Sequence, residues 1–350
     1  MKRLAKFSLA VLFAALATPG AFAAPAMPRY AHIFVIIEEN HTTDQIIGNM
    51  RAPILNRLAK QFGLASNYYA VSHPSEPNYV ALLGGDTFAI RDDDAYYCKP
   101  GMKREGCGHS DESGYVDHTT RALGLVKQLS DRGLSWKGYF EDIPQPGSLV
   151  DRQSPYAAKH NGFMNFRDVQ DDPHRADKIV GFNVLYRDIA AGTLPNFAHI
   201  VPSLCDDMHG ANGPGLPKSC ADDDWLVAKA DATVGKIVDK ITGSAMWNGT
   251  ENDAIVITFD EYGGDTDWTH AAGCCGFAPR STSNPGGGWI ATIVITNHGP
   301  RHLNDPKPYN HFSLLRTIED GFGIPQHLRH AADTAMGVVS MTPLFAVSRN

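Results

Sequence analysis

Residues Ala254 to Phe259 form a short apolar run that stops at Asp260 and Glu261 and breaks on Gly263 and Gly264. Ile255, Val256 and Ile257 are β-branched, and the run is too short for a helix, so it predicts a strand buried on both faces. Strands of that kind belong to helix-covered, mostly parallel sheets, which gather ligands in the crevice outside their carboxyl ends. Two hard oxygen donors placed there suit a divalent cation or general acid/base work. Taken alone, the same pair equally fits a polar turn that closes a core strand.

The pattern recurs along the chain. Ala31 to Ile37 is a second apolar run, and it ends at Glu38, Glu39 and Asn40. Residues 49–63 carry Ile54, Leu55, Leu58 and Phe62 at helical spacing, with Gly63 as the stop. A short strand follows at Tyr68 to Val71. Residues 120–133 have a helical pattern, and Ser135 to Phe140 reads as a strand ending at Glu141 and Asp142, which become cleft wall because Pro144 and Pro146 follow. Phe197 to Val201 is another strand; it runs into Asp206, Asp207 and His209, a phosphate- or metal-site candidate that reads equally well as a disulfide-tied turn. A helix at 222–241, a strand at 289–295 and a helix at 312–318 complete the alternation. With no fixed-period repeat and no low-complexity linker, the expectation is one α/β domain around a mostly parallel, helix-covered sheet.

His73-Pro-Ser-Glu-Pro-Asn-Tyr79 interrupts this rhythm. Pro77 suits the first turn of a helix, where its missing N–H is not needed. Ser75 then stands at a helix N-terminus, among free N–H groups and a dipole that favour an anion such as phosphate. It reads either as an N-cap or as a nucleophile whose attacked phosphoryl oxygens would be cradled there, with Asn78 able to aim its amide at them. Asp92 to Asp94 reads as a solvated run within a long loop at 91–118, His160 and His174 as surface histidines, and the Gly-, Ser- and Pro-rich stretch 265–288, with His270, as a loop over the site.

Residues 1–23 read as a cleaved export signal: Lys2, Arg3 and Lys6, then an apolar stretch from Leu9 to Leu16, then Ala21-Phe22-Ala23. The apolar stretch is too short to span a membrane, as is every later one. Removing the signal takes three positive charges and no acid, so residues 24–350 are more acidic than the net −7 of the whole chain. No Lys/Arg-rich run remains, which argues against nucleic acid or an anionic membrane surface as partner. Six cysteines in an exported chain are disulfide-capable. Cys98 with Cys107 and Cys205 with Cys220 would each staple a local loop; Cys274 and Cys275 stay unassigned.

Glu39-Asn40, the His73 to Tyr79 block, the Pro202 to His209 block, Asp260-Glu261-x-Gly-Gly and Asn310-His311-x-Ser-Leu-Leu-Arg-Thr-Ile-Glu319 together resemble the bacterial phosphoesterase family of acid phosphatases and phospholipases C. The likeness is strongest to the small secreted acid phosphatases, including those acting on phosphatidylinositol 3-phosphate. The resemblance implies an alkaline-phosphatase-like fold and hydrolysis through a phosphoserine at a divalent-metal site. It assigns the metal to Glu39, Asn40, Asp260 and Glu261, the nucleophile to Ser75, a phosphoryl contact to Asn78 and an essential histidine to His209. His209 would protonate the leaving oxygen, with His311 as a supporting or alternative acid and His73 and Asp207 as supporting residues. The expected activity is a secreted phosphomonoesterase on small-molecule or lipid phosphate esters. A phosphodiesterase of phospholipase C type and a non-catalytic exported anion-binding module are the alternatives.

Overall fold

β1 (His32–Glu38) and β6 (Asp253–Phe259) run parallel at the centre of the molecule, with Glu38 opposite Phe259. From Ile33 to Ile36 and from Ala254 to Ile257 every side chain is withdrawn from solvent, odd and even positions alike. Both faces of these strands are therefore covered, as an unbroken apolar run requires. Each fully buried Ile or Val contributes about 2 kcal/mol of hydrophobic stabilisation.

The computed structural model describes residues 26–93, 117–150, 152–263, 272–277 and 286–347. Among these, a separate two-stranded hairpin pairs Arg152–Gln153 with Tyr156–Ala157, and the remaining strands of the main sheet are β2 (Gly63–Tyr69), β3 (Trp136–Phe140), β4 (Ile179–Val180), β5 (Phe197–Val201), β7 (Trp289–Thr296), β8 (Leu303–Asp305) and β9 (Tyr309–Asn310). They form a nine-stranded sheet in the order β8-β2-β7-β6-β1-β5-β3-β4, with β9 also paired to β2. β7 runs antiparallel to both of its neighbours, and the other pairings are parallel. The expected mostly parallel α/β architecture is the one observed.

The helices that bear on the site are α1 (Pro53–Gln61), α2 (Glu76–Gly84), α3 (Leu125–Ser130), α4 (Phe182–Ala191), α5 (Asp223–Thr242) and α6 (His311–Gly321). Pro53 opens α1; the N–H groups of Ile54 and Leu55, which have no partner within the helix, donate to Asp231 on α5 at 3.0 and 2.7 Å. α1 packs on α5, and α2 on α6.

Two boundaries differ from the sequence reading. The helix expected over 120–133 contracts to α3 because Gly124 is extended and only caps it. The strand expected at Tyr68 to Val71 instead begins at Gly63, where any Cβ would sit 2.8 Å from Leu344 and 3.2 Å from the Val294 carbonyl. Gly63 thus permits β2 to pack tightly rather than merely ending α1. Cys205 and Cys220 are disulfide-bonded as expected, and Cys274 is bonded to Cys275; Cys98, Cys107, His270, Asp94 and residues 1–23, where an export signal is expected, lie outside the described residues. Among those described, no helix is long and apolar enough to cross a membrane.

Candidate active site

Because β1 and β6 are in register, their trailing acids leave the sheet at one edge. The Asp260 N–H donates to the Glu38 carbonyl at 3.0 Å, and the Asp260 carboxylate accepts from the N–H of Asn40 at 3.1 Å and of Glu261 at 2.6 Å. Asn40 has φ +54, a left-handed conformation that asparagine tolerates. Gly263 backs onto it so closely that a Cβ would lie 2.1 Å from the Asn40 carbonyl. The glycine after the acid pair is thus required for β1 and β6 to end side by side.

Ser75 immediately precedes α2 and is 1% exposed. Its hydroxyl lies 3.0 Å from Glu261 Oε1 and 3.3 Å from Glu39 Oε2, as donor to either. No side-chain capping bond is made by Ser75, so the N-cap reading gives way to one in which the hydroxyl faces the carboxylates. Tyr79, one turn into α2, donates its hydroxyl to Glu39 Oε1. Burial first, then Asp260 and Asp207, push the Glu39 carboxyl well above its ordinary range. Glu261 is raised by burial and Asp260, and Asp260 itself by burial.

The loop after β5 completes the site. The Glu39 N–H donates to the Asp207 carbonyl at 2.8 Å, and Asp207 Oδ1 accepts the His209 N–H at 2.8 Å. His209 Nδ1 lies 2.8 Å from the Gly210 carbonyl, which can only accept, so the ring carries its proton there and presents a bare Nε2. Lys159 Nζ donates to that nitrogen at 3.3 Å and to Ser75 Oγ at 3.4 Å. Burial, and then Lys159, hold the His209 pKa below its ordinary value. Asp206, adjacent in sequence, turns away to Thr233 and Lys229, each at 2.7 Å.

The structure therefore brings together Glu39, Asp260, Glu261, Ser75, His209 and Asp207. His73 joins them through Nδ1 on Glu261 Oε2. Two expected residues serve as supports. Asn78 spends its amide within its own loop: Oδ1 accepts from the N–H groups of Val71 and Ser72, and Nδ2 donates to the Ser72 and Pro74 carbonyls. His311 donates from Nε2 to the Asp260 carbonyl at 2.8 Å, and its Nδ1 takes the Tyr68 hydroxyl at 3.1 Å. Burial pushes its pKa down to about 4, so it braces the end of β6 as a neutral ring.

Two readings of the sequence are corrected here. His160 is not a surface residue: it is 1% exposed, stacked on Tyr79 with 5.1 Å between centroids, and its Nε2 is 3.2 Å from Glu39 Oε1. Asp93 is not simply solvated: it accepts from Lys159 at 2.7 Å and from the Glu76 N–H at 2.9 Å. Lys159 and His160 sit on a single 3₁₀ turn, Ala158–His160, with no periodic pattern to place them. The adjacent Lys-His pair between Tyr156 and Phe163 was the one local signal.

Asn40 Oδ1, Asp260 Oδ2 and Asp207 Oδ2 are buried without a hydrogen-bond partner, and ligand atoms of Glu39, His160 and His209 lie within 4.8 Å of one another. Buried polar atoms are normally satisfied. Unpartnered hard oxygens beside neutral imidazoles form a donor set that fits a divalent cation.

Parallel β-strands that deliver acids, a buried helix-terminal hydroxyl and imidazoles to one edge define an α/β protein with a hydrolytic type of site at its strand ends. Solved structures agree on the fold: an alkaline phosphatase superfamily protein from Vibrio parahaemolyticus aligns with TM-score 0.54 at 12% identity, over 87% of this chain and 69% of its own. The lipoteichoic acid synthase LtaP from Listeria monocytogenes gives 0.53 at 11% identity, over 92% and 77%. The profile of the Phosphoesterase family matches residues 49–325, and the chain belongs to that family. It is 28% identical to a phosphatidylinositol-3-phosphatase of Mycobacterium tuberculosis, over 87% of this chain and 81% of that one. It is 32% identical to a probable acid phosphatase of Kluyveromyces lactis over 87% of this chain, though it spans only 61% of that relative.

Proposed function

We propose that the chain is an exported, metal-dependent phosphomonoesterase in which Ser75 carries the phosphoryl group between substrate and water. The observation that carries this reading is the Ser75 hydroxyl: buried, at the start of α2, and within 3.0 to 3.3 Å of two carboxylates. A nucleophilic hydroxyl is weak at its ordinary pKa and needs an adjacent base or a cation to activate it. Glu39, Asn40, Asp260 and Glu261 would hold a divalent ion, with His160 and His209 in reach; bound there, it supplies charge that lowers the hydroxyl pKa and offsets phosphoryl charge.

In the first displacement the Ser75 oxygen forms a bond to phosphorus, its proton passes to Glu261, and the bond to the ester oxygen breaks. That oxygen takes a proton from Nε2 of protonated His209. In the second, water gives a proton to His209 Nε2 as it forms the bond to phosphorus, the bond to Ser75 breaks, and the Ser75 oxygen recovers its proton from Glu261, releasing inorganic phosphate. The mycobacterial relative's name supports phosphoinositides among the substrates, and the export-like leader with the Cys205–Cys220 disulfide supports a location outside the cytoplasm.

The test is a side-by-side assay of an aryl phosphomonoester and an aryl phosphocholine diester, each with and without chelator. Chelator-sensitive phosphate release from the monoester, with an acid-trapped phosphoenzyme lost in Ser75→Ala, is the expected result. Activity on the diester alone would move the assignment to phospholipase C chemistry. A protein that binds phosphate and turns over neither substrate would be a binding module.

A further inference from the structure

Lys159 projects from its 3₁₀ turn into the site with its side chain 17% exposed. Its ammonium has three protons and three acceptors within reach: Asp93 Oδ2 at 2.7 Å, His209 Nε2 at 3.3 Å and Ser75 Oγ at 3.4 Å. Burial alone would favour loss of its proton, but Glu39 and Asp93 more than offset this, and the group is held charged. Asp93 also accepts the N–H of Glu76, the first residue of α2. The cation is thereby tied to the same helix end that carries Ser75.

We propose that Lys159 is a substrate-contacting residue that binds a non-bridging oxygen of the phosphoryl group on Ser75 and selects dianionic monoesters over diesters. This rests on the phosphoesterase reading given above. Phosphorus attacked by Ser75 brings its own oxygens within the reach of a cation already 3.4 Å from the attacking atom. A monoester near pH 7 carries close to two negative charges, whereas a diester carries one. A diester also esterifies an oxygen that a monoester leaves bare and charged. An ammonium pinned on one side by Asp93 and on another by His209 gains little from an uncharged, weakly basic ester oxygen crowded by its alkyl group, and a site built to bond a charged oxygen rejects a group that accepts poorly. Asp93 acts as a positioning residue in this scheme.

The experiment uses the full-length, metal-loaded protein at pH 7 and compares 4-nitrophenyl phosphate with methyl 4-nitrophenyl phosphate. Binding of inorganic phosphate is measured separately by calorimetry. Lys159→Met is expected to lower monoester kcat/KM roughly 10² to 10³-fold, the typical cost of one oxyanion donor, and diester kcat/KM by less than about tenfold. Phosphate binding should weaken at least about tenfold, and Lys159→Arg should restore part of it. Lys159→Gln, which loses the charge but keeps a polar donor one atom short of the ammonium, replaces the methionine variant should that one unfold on heating at a much lower temperature. Asp93→Asn should raise monoester KM more than it lowers kcat.

An unchanged monoester-to-diester ratio, with unchanged phosphate affinity in a folded Lys159 variant, overturns the proposal while leaving the phosphatase reading intact. A wild-type protein that hydrolyses neither ester instead breaks the phosphatase reading. The calorimetric arm then still decides whether Lys159 contacts phosphate.

Discussion

Two clusters of acids and histidines flank the start of α2, and they are built to opposite ends. In each, three ligand atoms lie within 4.8 Å of one another: Glu39, His160 and His209 on one side, Glu76, Asp92 and His118 on the other. The second cluster is closed on itself. His118 Nδ1 meets Glu76 Oε2 at 2.9 Å, its Nε2 meets Asp92 at 3.3 Å, and Asn165 donates to Glu76 Oε1 at 2.6 Å. The first is open, leaving oxygens of Asn40 and Asp260 buried without a hydrogen-bond partner and Asp207 Oδ2 with only His160 Nδ1 at 3.4 Å beside it. Composition is thus a poor guide to function between these two, and satisfaction is a better one: a closed network fastens a helix, whereas an open one keeps donors for something that arrives.

The two clusters should differ most at Ser75. Ser75→Ala should lower kcat at least roughly 10⁴-fold, as removal of a nucleophile does elsewhere, with thermal unfolding unchanged or slightly raised. A comparable loss of turnover from His118→Ala in a folded protein would erase the distinction between the clusters. Chelation should cost roughly 10³-fold in monoester turnover and lower the unfolding temperature by removing a ligand of the folded state. Asp260→Asn should blunt the thermal effect, and Asp92→Asn should leave it intact. His118→Ala should instead appear mainly in stability, about 3 kcal/mol by urea unfolding, because fully buried Glu76 loses its imidazole.

The open cluster was partly legible in the sequence because strand ends are legible. The apolar runs before Glu39 and Asp260 predict where the two acid pairs emerge, and the prolines around Ser75 predict a helix start beside them. Lys159, His160 and Asp93 were not legible, since they lie on a 3₁₀ turn and at a loop edge, where no period of 2 or 3.6 reports which way a side chain faces. Asn78 and His311 show the converse. Their position was readable, but only hydrogen-bond partners reveal that both are spent on holding the loop and the end of β6. The boundaries that moved, at Gly63 and Gly124, are set by close packing and by a cap, and neither leaves a periodic trace.

The open cluster must also supply a proton to the leaving oxygen. His209 offers a bare Nε2, and burial and Lys159 keep its pKa below the ordinary 6.5. Its protonated form therefore accumulates only below that value and is lost as pH rises through the lowered pKa. If His209 protonates the leaving oxygen, turnover of an alkyl phosphate should fall as pH rises toward 6.5 and have lost most of its value above it, because the shift is downward. A 4-nitrophenyl leaving group needs no proton and should be far less sensitive. His209→Asn should consequently cost roughly 10²-fold on the alkyl substrate, less than about tenfold on the aryl one, and should flatten the alkyl pH profile. Equal losses on both substrates, with the profile retained, would leave His209 as a binding or metal-holding residue and would move the acid to another group.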